Sequence, residues 1–241
     1  MMNGHRGNEL LLQAYFAHVN DLRHSWVRGV RVRNADAAFL HENCAHGTLQ
    51  DVMVEGRGGH YGVHFGSAYG MLATGATVTA RAIHALSFNT GSTGNVVHRS
   101  LTVRGPLDQH RGANEQNLFD AVTLVLPLEQ APNAFKSSGA PYWGPRHGAH
   151  STLWNVAVAL AADAAPADPV LVVGVGDESR ANVVGLHAYL ATYTGYGAEG
   201  AGVSVGVTYA GYRESVGRAV AVPSLWEYQR RQRTTVRRDG D

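Results

Sequence analysis

One cysteine and one lysine stand in a chain of 241 residues, and each scarcity narrows the chemistry. Cys44 has no second cysteine to pair with, so neither an intrachain disulfide framework nor a cysteine-based zinc site is available. Lys136 is the single lysine among 20 basic residues, a bias that a GC-rich genome produces as readily as a need for forked, permanently charged donors. Long apolar runs are missing as well. The opening MMNGHRGNELLLQAYFAH has only a short leucine run, broken by Gln13 and His18, which is too brief for the core of a signal peptide. No later window approaches a membrane span, so no membrane partner is expected. As written the chain reads as cytoplasmic, or as secreted if its N-terminus is incomplete. An excess of either charge is also lacking: 20 basic against 19 acidic residues leave +1, which gives no global field toward nucleic acid. With 44% hydrophobic residues, 16% charged and a mean hydropathy of −0.17, the composition excludes a disordered chain.

What the chain does contain is a repeat. The segments WVRGVRVRN (26–34), TLQDVMVEG (48–56), MLATGATVTA (71–80), VVHRSLTVRG (96–105), LFDAVTLVL (118–126) and TLWNVAVAL (152–160) each place a short alternating apolar strand after a polar or bulky lead. Anchors at Val30, Val52, Ala76, Leu101, Val122 and Val156 are separated by 22, 24, 25, 21 and 34 residues, the last interval leaving room for an inserted loop at about 127–150. Strand-like alternation at this period, with Gly and Asn between strands and almost no helical periodicity, suits a solenoid whose every turn covers the apolar edges of the last. The expected fold is all-β, a right-handed parallel β-helix formed as a single-stranded solenoid with a short C-terminal capping segment. A leucine-rich repeat is the rival, but its leucine spacing and helical half-repeat are missing.

The rungs and inserted loop span 1–160, with ELLLQAYFAHV (9–19) as an N-terminal cap, either strand or short helix. The first rung lies so close to Met1 that the chain also reads as the C-terminal part of a longer β-helix. AADAAPADP (161–169) reads as a linker, PVLVVGVG (169–176) as a further strand, and 195–212 as a glycine-rich strand and loop; together 161–222 pack on the solenoid. In 223–241 a Pro-Ser start leads to a short helix that docks through Leu225, Trp226 and Tyr228, followed by an arginine-rich solvated tail.

Polar residues concentrate between 84 and 155. One segment supplies His84, Ser87, Asn89, Asn95, His98 and Arg99, and the next supplies Asp108, His110, Arg111, Glu115, Asn117 and Asp120. The insertion adds Lys136, Tyr142, Trp143, Arg146, His147 and His150. Strands of adjacent rungs lie about 4.8 Å apart, so groups separated by one repeat become lateral neighbours. His84 and Asp108, 24 residues apart, are expected on adjacent rungs, with the insertion folding Arg146 and His147 back toward His110 and Arg111.

Several chemistries compete for these groups. A polysaccharide lyase needs a cation to neutralise a uronate carboxylate, for which Arg111 or Arg146 serve, and a base, for which His110, His147 or Lys136 serve. A glycoside hydrolase needs two carboxyls, for which Asp108, Glu115 and Asp120 are the local candidates; Asp120, in a strand lead, suits a bond to turn backbone better. His41, His46, His60 and His64 lack metal-ligand spacing and read as structural or surface histidines, so no metal is assigned. Asn43, Asn89, Asn95 and Asn117 sit where stacked asparagines close β-helix turns. Trp143 suits either a sugar ring or the loop's own core. GVGDES (174–179) lacks the dinucleotide fingerprint, and Ser67 lacks the strand-to-helix setting of a nucleophile elbow.

The succession HALSFNTGSTGNVV, DQHRGANEQNLFD, WGPRHGAHSTLWN and ESVGRAVAVPSLWEYQRRQR resembles bacterial right-handed β-helix proteins of the pectate lyase-like superfamily. The likeness covers about 80–160 and 213–233. It implies the β-helix fold and a polar face made of His84, His110, Arg111, Arg146, His147 and His150. The chain departs from the pattern at Ala85, where the RHD-type rung carries Asp, and in having no visible counterpart of the calcium-binding aspartates. Calcium therefore has no clear ligand cluster and no cofactor is assigned. The expected function is a carbohydrate-active enzyme, foremost a lyase of uronate-containing poly- or oligosaccharide. His110, Arg111, Arg146 and His147 are its catalytic candidates, and His84, Asp108, Lys136, Trp143 and His150 its substrate contacts. A noncatalytic glycan-binding or self-assembling β-helix, including a homo-oligomer, and an enzyme of a small metabolite remain the alternatives.

Overall fold

The computed structural model describes residues 15–127, 134–136, 138–140, 142, 148–161, 170–173, 181–191, 202–207 and 212–238. Short strands wind into a parallel β-solenoid of about five turns, each turn contributing one strand to each of three sheets. The first sheet stacks Tyr15–Asn20, Ala37–Glu42, Gly59–Gly66, Ala82–Phe88, Leu107–Gln109 and Phe135–Lys136. The second begins at Trp26–Arg28 and runs through Thr48–Gln50, Leu72–Thr74, Val96–His98, Leu118–Asp120 and Thr152–Trp154 to Asn182–Val184 and Arg213–Glu214. The third begins at Arg31–Arg33 and runs through Met53–Glu55, Thr77–Val78, Leu101–Val103, Thr123–Pro127 and Ala157–Ala161 to His187–Ala191. There the stacking changes: Gly202–Val207 pairs antiparallel with His187–Ala191 and parallel with Val170–Val173.

Register follows the apolar rows. Phe39, Val63, Leu86, Leu107 and Phe135 are lateral partners facing inward, and each is buried. Burying side chains of this size contributes about 1.5–3 kcal/mol apiece, which makes a one-residue slip costly. The repeat anchor at Leu101 is corrected by this rule. Leu101 pairs with Thr77, so Ser100 is the partner of Ala76, and the two middle intervals become 24 (76 to 100) and 22 (100 to 122). The sequence misleads because Leu101 is half exposed whereas Ser100 is buried and donates inside the turn.

The corner between the second and third sheets needs one left-handed residue per turn. Gly29, Asp51, Gly75, Arg99, Ala121, Asn155, Gly185 and Ser215 fill it in succession, all at positive φ. Gly, Asn and Asp accept this conformation readily, which explains why they punctuate the repeat. At Gly75 a Cβ would lie 2.6 Å from Asp51 Oδ1, so a side chain there would push that carboxylate aside.

Inside, asparagines close the turns. Asn95 Nδ2 donates to Asn117 Oδ1 at 3.0 Å, and Asn95 Oδ1 accepts the Met71 amide at 2.9 Å, so a buried backbone donor on one turn is met from the next. Asn43 Nδ2 donates to Asn20 Oδ1 in the same manner on the surface. Two boundaries shift. Phe135–Lys136, inside the expected loop 127–150, is a strand of the first sheet, and of the expected cap, given as strand or short helix, Tyr15–Asn20 is a strand paired with Ala37–Glu42. Most of the expected linker, 162–169, lies outside the described residues, as does 174–180, which holds all of GVGDES.

Candidate functional site

The outer face of the first sheet carries the polar cluster. In Ala82–Phe88 both Ala85 and Leu86 lie in the core, and His84 and Ser87 flank that pair on the polar side. This puts Tyr61 beside His84, and His64 beside Ser87, Asp108 and Lys136. His84 Nδ1 lies 2.7 Å from Asp108 Oδ2, across the strand boundary. The same oxygen accepts from Ser138 Oγ at 2.8 Å and Ser87 Oγ at 3.2 Å, while Oδ1 accepts the Ser138 amide at 3.2 Å. Ser138 also passes 3.3 Å from His84 Nδ1, so a residue of the insertion closes the pair from above. Its hydroxyl proton goes to the carboxylate, which makes it a support for Asp108.

His110 completes the cluster. Its ring meets that of His84 edge-on with centroids 5.7 Å apart, and its Nδ1 lies 3.1 Å from the Arg111 carbonyl. A carbonyl only accepts, so His110 Nδ1 carries the proton and Nε2 holds the lone pair; Asp108 imposes the same tautomer on His84. Gly139 fits tightly here, because a Cβ would lie 2.6 Å from His110 Cε1.

The electrostatics agree. Burial raises the Asp108 carboxyl, but the hydrogen bond and charge of His84, joined by Ser138 and His110, outweigh it and hold the group below the usual carboxylate range. Desolvation pushes the His110 imidazole down, against the Arg111 carbonyl and the Asp108 charge, and so favours a neutral ring. Around the cluster lie His60 and Tyr61, stacked at 4.2 Å, with Tyr61 stacked on His84 at 4.8 Å. Two cations border it. Lys136 Nζ donates to the Ile83 carbonyl at 3.4 Å, and Arg111 Nε is buried with no hydrogen-bond partner among the described residues.

Neither a family model, nor a curated protein, nor a solved structure matches this chain.

Of the residues expected at the site, His84, Asp108, His110, Arg111 and Lys136 are thus brought together on one face. His150 is not: it occupies an exposed corner at φ 57°, one residue past the Glu115–Ala149 bridge. Trp143, Arg146 and His147 lie outside the described residues. Ser138 and Tyr61 were not singled out from sequence. Ser138 reaches Asp108 only because Phe135–Lys136 joins the first sheet, at an interval the repeat does not share.

The other acids have different work. Asp120 is fully buried and caps the C-terminal helix, accepting from Ser224 Oγ at 2.6 Å and from the amides of Leu225 and Trp226 at 3.1 and 2.9 Å. Glu115 sits in the corner bridge between Thr93 and Ala149. Among the described residues no group of three or more His, Cys, Asp or Glu is arranged to hold a metal ion. Calcium, which takes six to eight oxygens, does not fit the cluster, where both oxygens of Asp108 are engaged by Ser87, Ser138 and His84.

Proposed function

We propose that this chain is a carbohydrate-active β-helix enzyme of the pectate lyase-like kind, cleaving a uronate-containing glycan by β-elimination. The observation that carries the reading is the buried His84–Asp108 pair with His110 beside it and Arg111 and Lys136 at its border. β-Elimination needs a neutral base next to a cation, because the proton beside a uronate carboxylate becomes removable once that carboxylate is neutralised. His110 supplies Nε2 as the base, and Arg111 or Lys136 takes the carboxylate. The proton that His110 Nε2 takes from carbon is then returned by the same imidazolium to the departing glycosidic oxygen, while His84, oriented by Asp108, packs beside it and holds its Nε2 lone pair toward the substrate face. The C–H and C–O bonds break, a C=C bond forms, and no oxidant or water is consumed.

Hydrolysis is disfavoured by the same cluster. It requires two carboxyls, one of them protonated, whereas Asp108 is held ionised and Asp120 is committed to the helix. The test is a panel of uronate-containing and neutral polysaccharides, following ultraviolet absorbance of unsaturated products and reducing ends in parallel. Absorbance is expected to grow, and to fall about 100-fold or more in His110→Ala and Arg111→Ala. Reducing ends without absorbance would overturn elimination in favour of hydrolysis, and silence in both channels would overturn catalysis on glycans.

A further inference from the structure

Beside the histidine cluster the strand Gly59–Gly66 departs from the regular ladder. The amides of His60 and Tyr61 both donate to the Asp36 carbonyl, at 2.5 and 3.1 Å, two successive donors on one acceptor as in a β-bulge. Residues that follow one another on a strand ordinarily face opposite ways. Here the two rings lie on the same side, stacked at 4.2 Å and 16°.

Several contacts hold this departure in place. Arg57 fixes its entry: the amide donates to Asn34 Oδ1 at 2.9 Å, Nε to the Asn34 carbonyl at 3.0 Å, and Nη1 to Asp36 Oδ1 at 2.7 Å. Glycines flank the ring pair because backbone from both neighbouring turns closes on it. A Cβ at Gly59 would lie 2.6 Å from the Ala35 carbonyl oxygen, and one at Gly62 would lie 2.5 Å from that of Ala85. Bulges re-aim side chains, and this one aims at His84. The Tyr61 ring stacks on His84 at 4.8 Å and 23°, and His60 reaches it at 5.0 Å and 36°.

What the stack adds follows from what the hydrogen bond leaves free. The 2.7 Å contact of Nδ1 with Asp108 fixes the tautomer and one atom of the imidazole. Tilting the ring about the line of that bond keeps the bond intact but swings Nε2 aside. A second ring lying flat on one face blocks the tilt. We infer that Tyr61, set by the bulge, is a positioning residue of the site: it holds the plane of His84 so that Nε2 faces the substrate side. The consequence for turnover rests on the uronate reading above, whereas the effect on His84 itself does not.

The experiment therefore reads His84 both without and with substrate. In the full chain carrying an isotope label at histidine Cε1, the His84 signal is identified by its loss in His84→Gln. Tyr61→Leu should lower the order parameter of the His84 Cε1–H bond from about 0.85 to below about 0.6, and Tyr61→Phe should keep it. Arg57→Ala, which loosens the bulge and keeps every ring, should lower it as well, so the inference stays open to refutation if Tyr61→Leu does not fold. On whichever of polygalacturonate, alginate and hyaluronan the parent cleaves, kcat/KM should fall at least tenfold in Tyr61→Leu and recover in Tyr61→Phe. Because Tyr61 acts through His84, His84→Gln/Tyr61→Leu should be no slower than His84→Gln alone. The inference is overturned if His84 stays ordered in the folded variants, if Tyr61→Phe behaves like Tyr61→Leu, or if the two losses add, which would make Tyr61 a substrate contact. Loss of order with no turnover of any of the three glycans by the parent would sink the lyase reading alone. Turnover by the parent with His84 equally ordered in every folded variant would sink this one alone.

Discussion

His41 and His64 lie on adjacent strands of the first sheet, and the direction each faces decides its chemistry. His64 projects outward beside Tyr61, its Nε2 3.5 Å from Glu42 Oε1, and this close imidazole, joined by His18 and outweighing burial, holds Glu42 below its usual range. His41 turns inward, edge-on to Phe65, where desolvation, helped by the charge of His64, lowers it to about 4. The unfolded chain titrates near 6.5, so folding sheds a proton between these values. Stability is therefore full above 6.5, is lost as pH falls toward 4, and levels off below. A shift of this size amounts to about 3 kcal/mol. His41→Leu should flatten the melting temperature against pH across that window; parallel curves for variant and parent would refute the assignment. Asp108, held low, acts in a more acidic range, stabilising the fold above the ordinary carboxylate value and losing that contribution as pH falls through its own lowered one.

The C-terminal helix, Leu225–Arg238, is held by a residue of the solenoid. Ser224 Oγ accepts the Glu227 amide at 3.1 Å, and Asp120 takes the amides before it, so the orphan donors of the first turn are met from two sides. Glu227 then pairs with Arg99 at 2.8 Å, Trp226 lies 4.9 Å from His98, and Trp154 Nε1 donates to the Val222 carbonyl at 2.8 Å. The Pro-Ser start and the ring at Trp226 were legible in the sequence. Asp120 was not, because its partners lie 104 to 106 residues away. Asp120→Ala should cost about 1–2 kcal/mol, the range for a lost helix cap, and should release the helix. Trp226 fluorescence would shift to the red and the amides of 225–234 would exchange faster. An unchanged Trp226 spectrum would mean that Arg99 and Trp154 dock the helix without it.

Over the whole molecule each turn touches only its neighbours, so stability is distributed along the axis. Rows such as Val32, Val54 and Val78 repeat one buried position, but Val32 has a turn on one described side only. Native-state hydrogen exchange should rise along this row, with Val54 and Val78 protected at least tenfold more than Val32; equal protection would show that the solenoid opens as a single unit. The candidate site sits on turns covered from both sides.

Periodicity alone determined that the chain stacks into a parallel solenoid, because alternating apolar strands at a period near 22–24 residues can bury their edges only against copies of themselves. It also placed His84 and Asp108 on adjacent rungs, since one repeat separates them. The tertiary structure decided the rest. The interval from Leu107 to Phe135 in the first sheet is set by the insertion and not by the repeat, so only the fold brings Ser138 onto Asp108 and Gly139 onto His110. Tautomers, the inward turn of His41 and the commitment of Asp120 to the helix likewise depend on which face each strand buries. The face a position takes, alternating along most strands but successive at Ala85 and Leu86, and the lateral register set by loop length and corner geometry determine what each side chain meets.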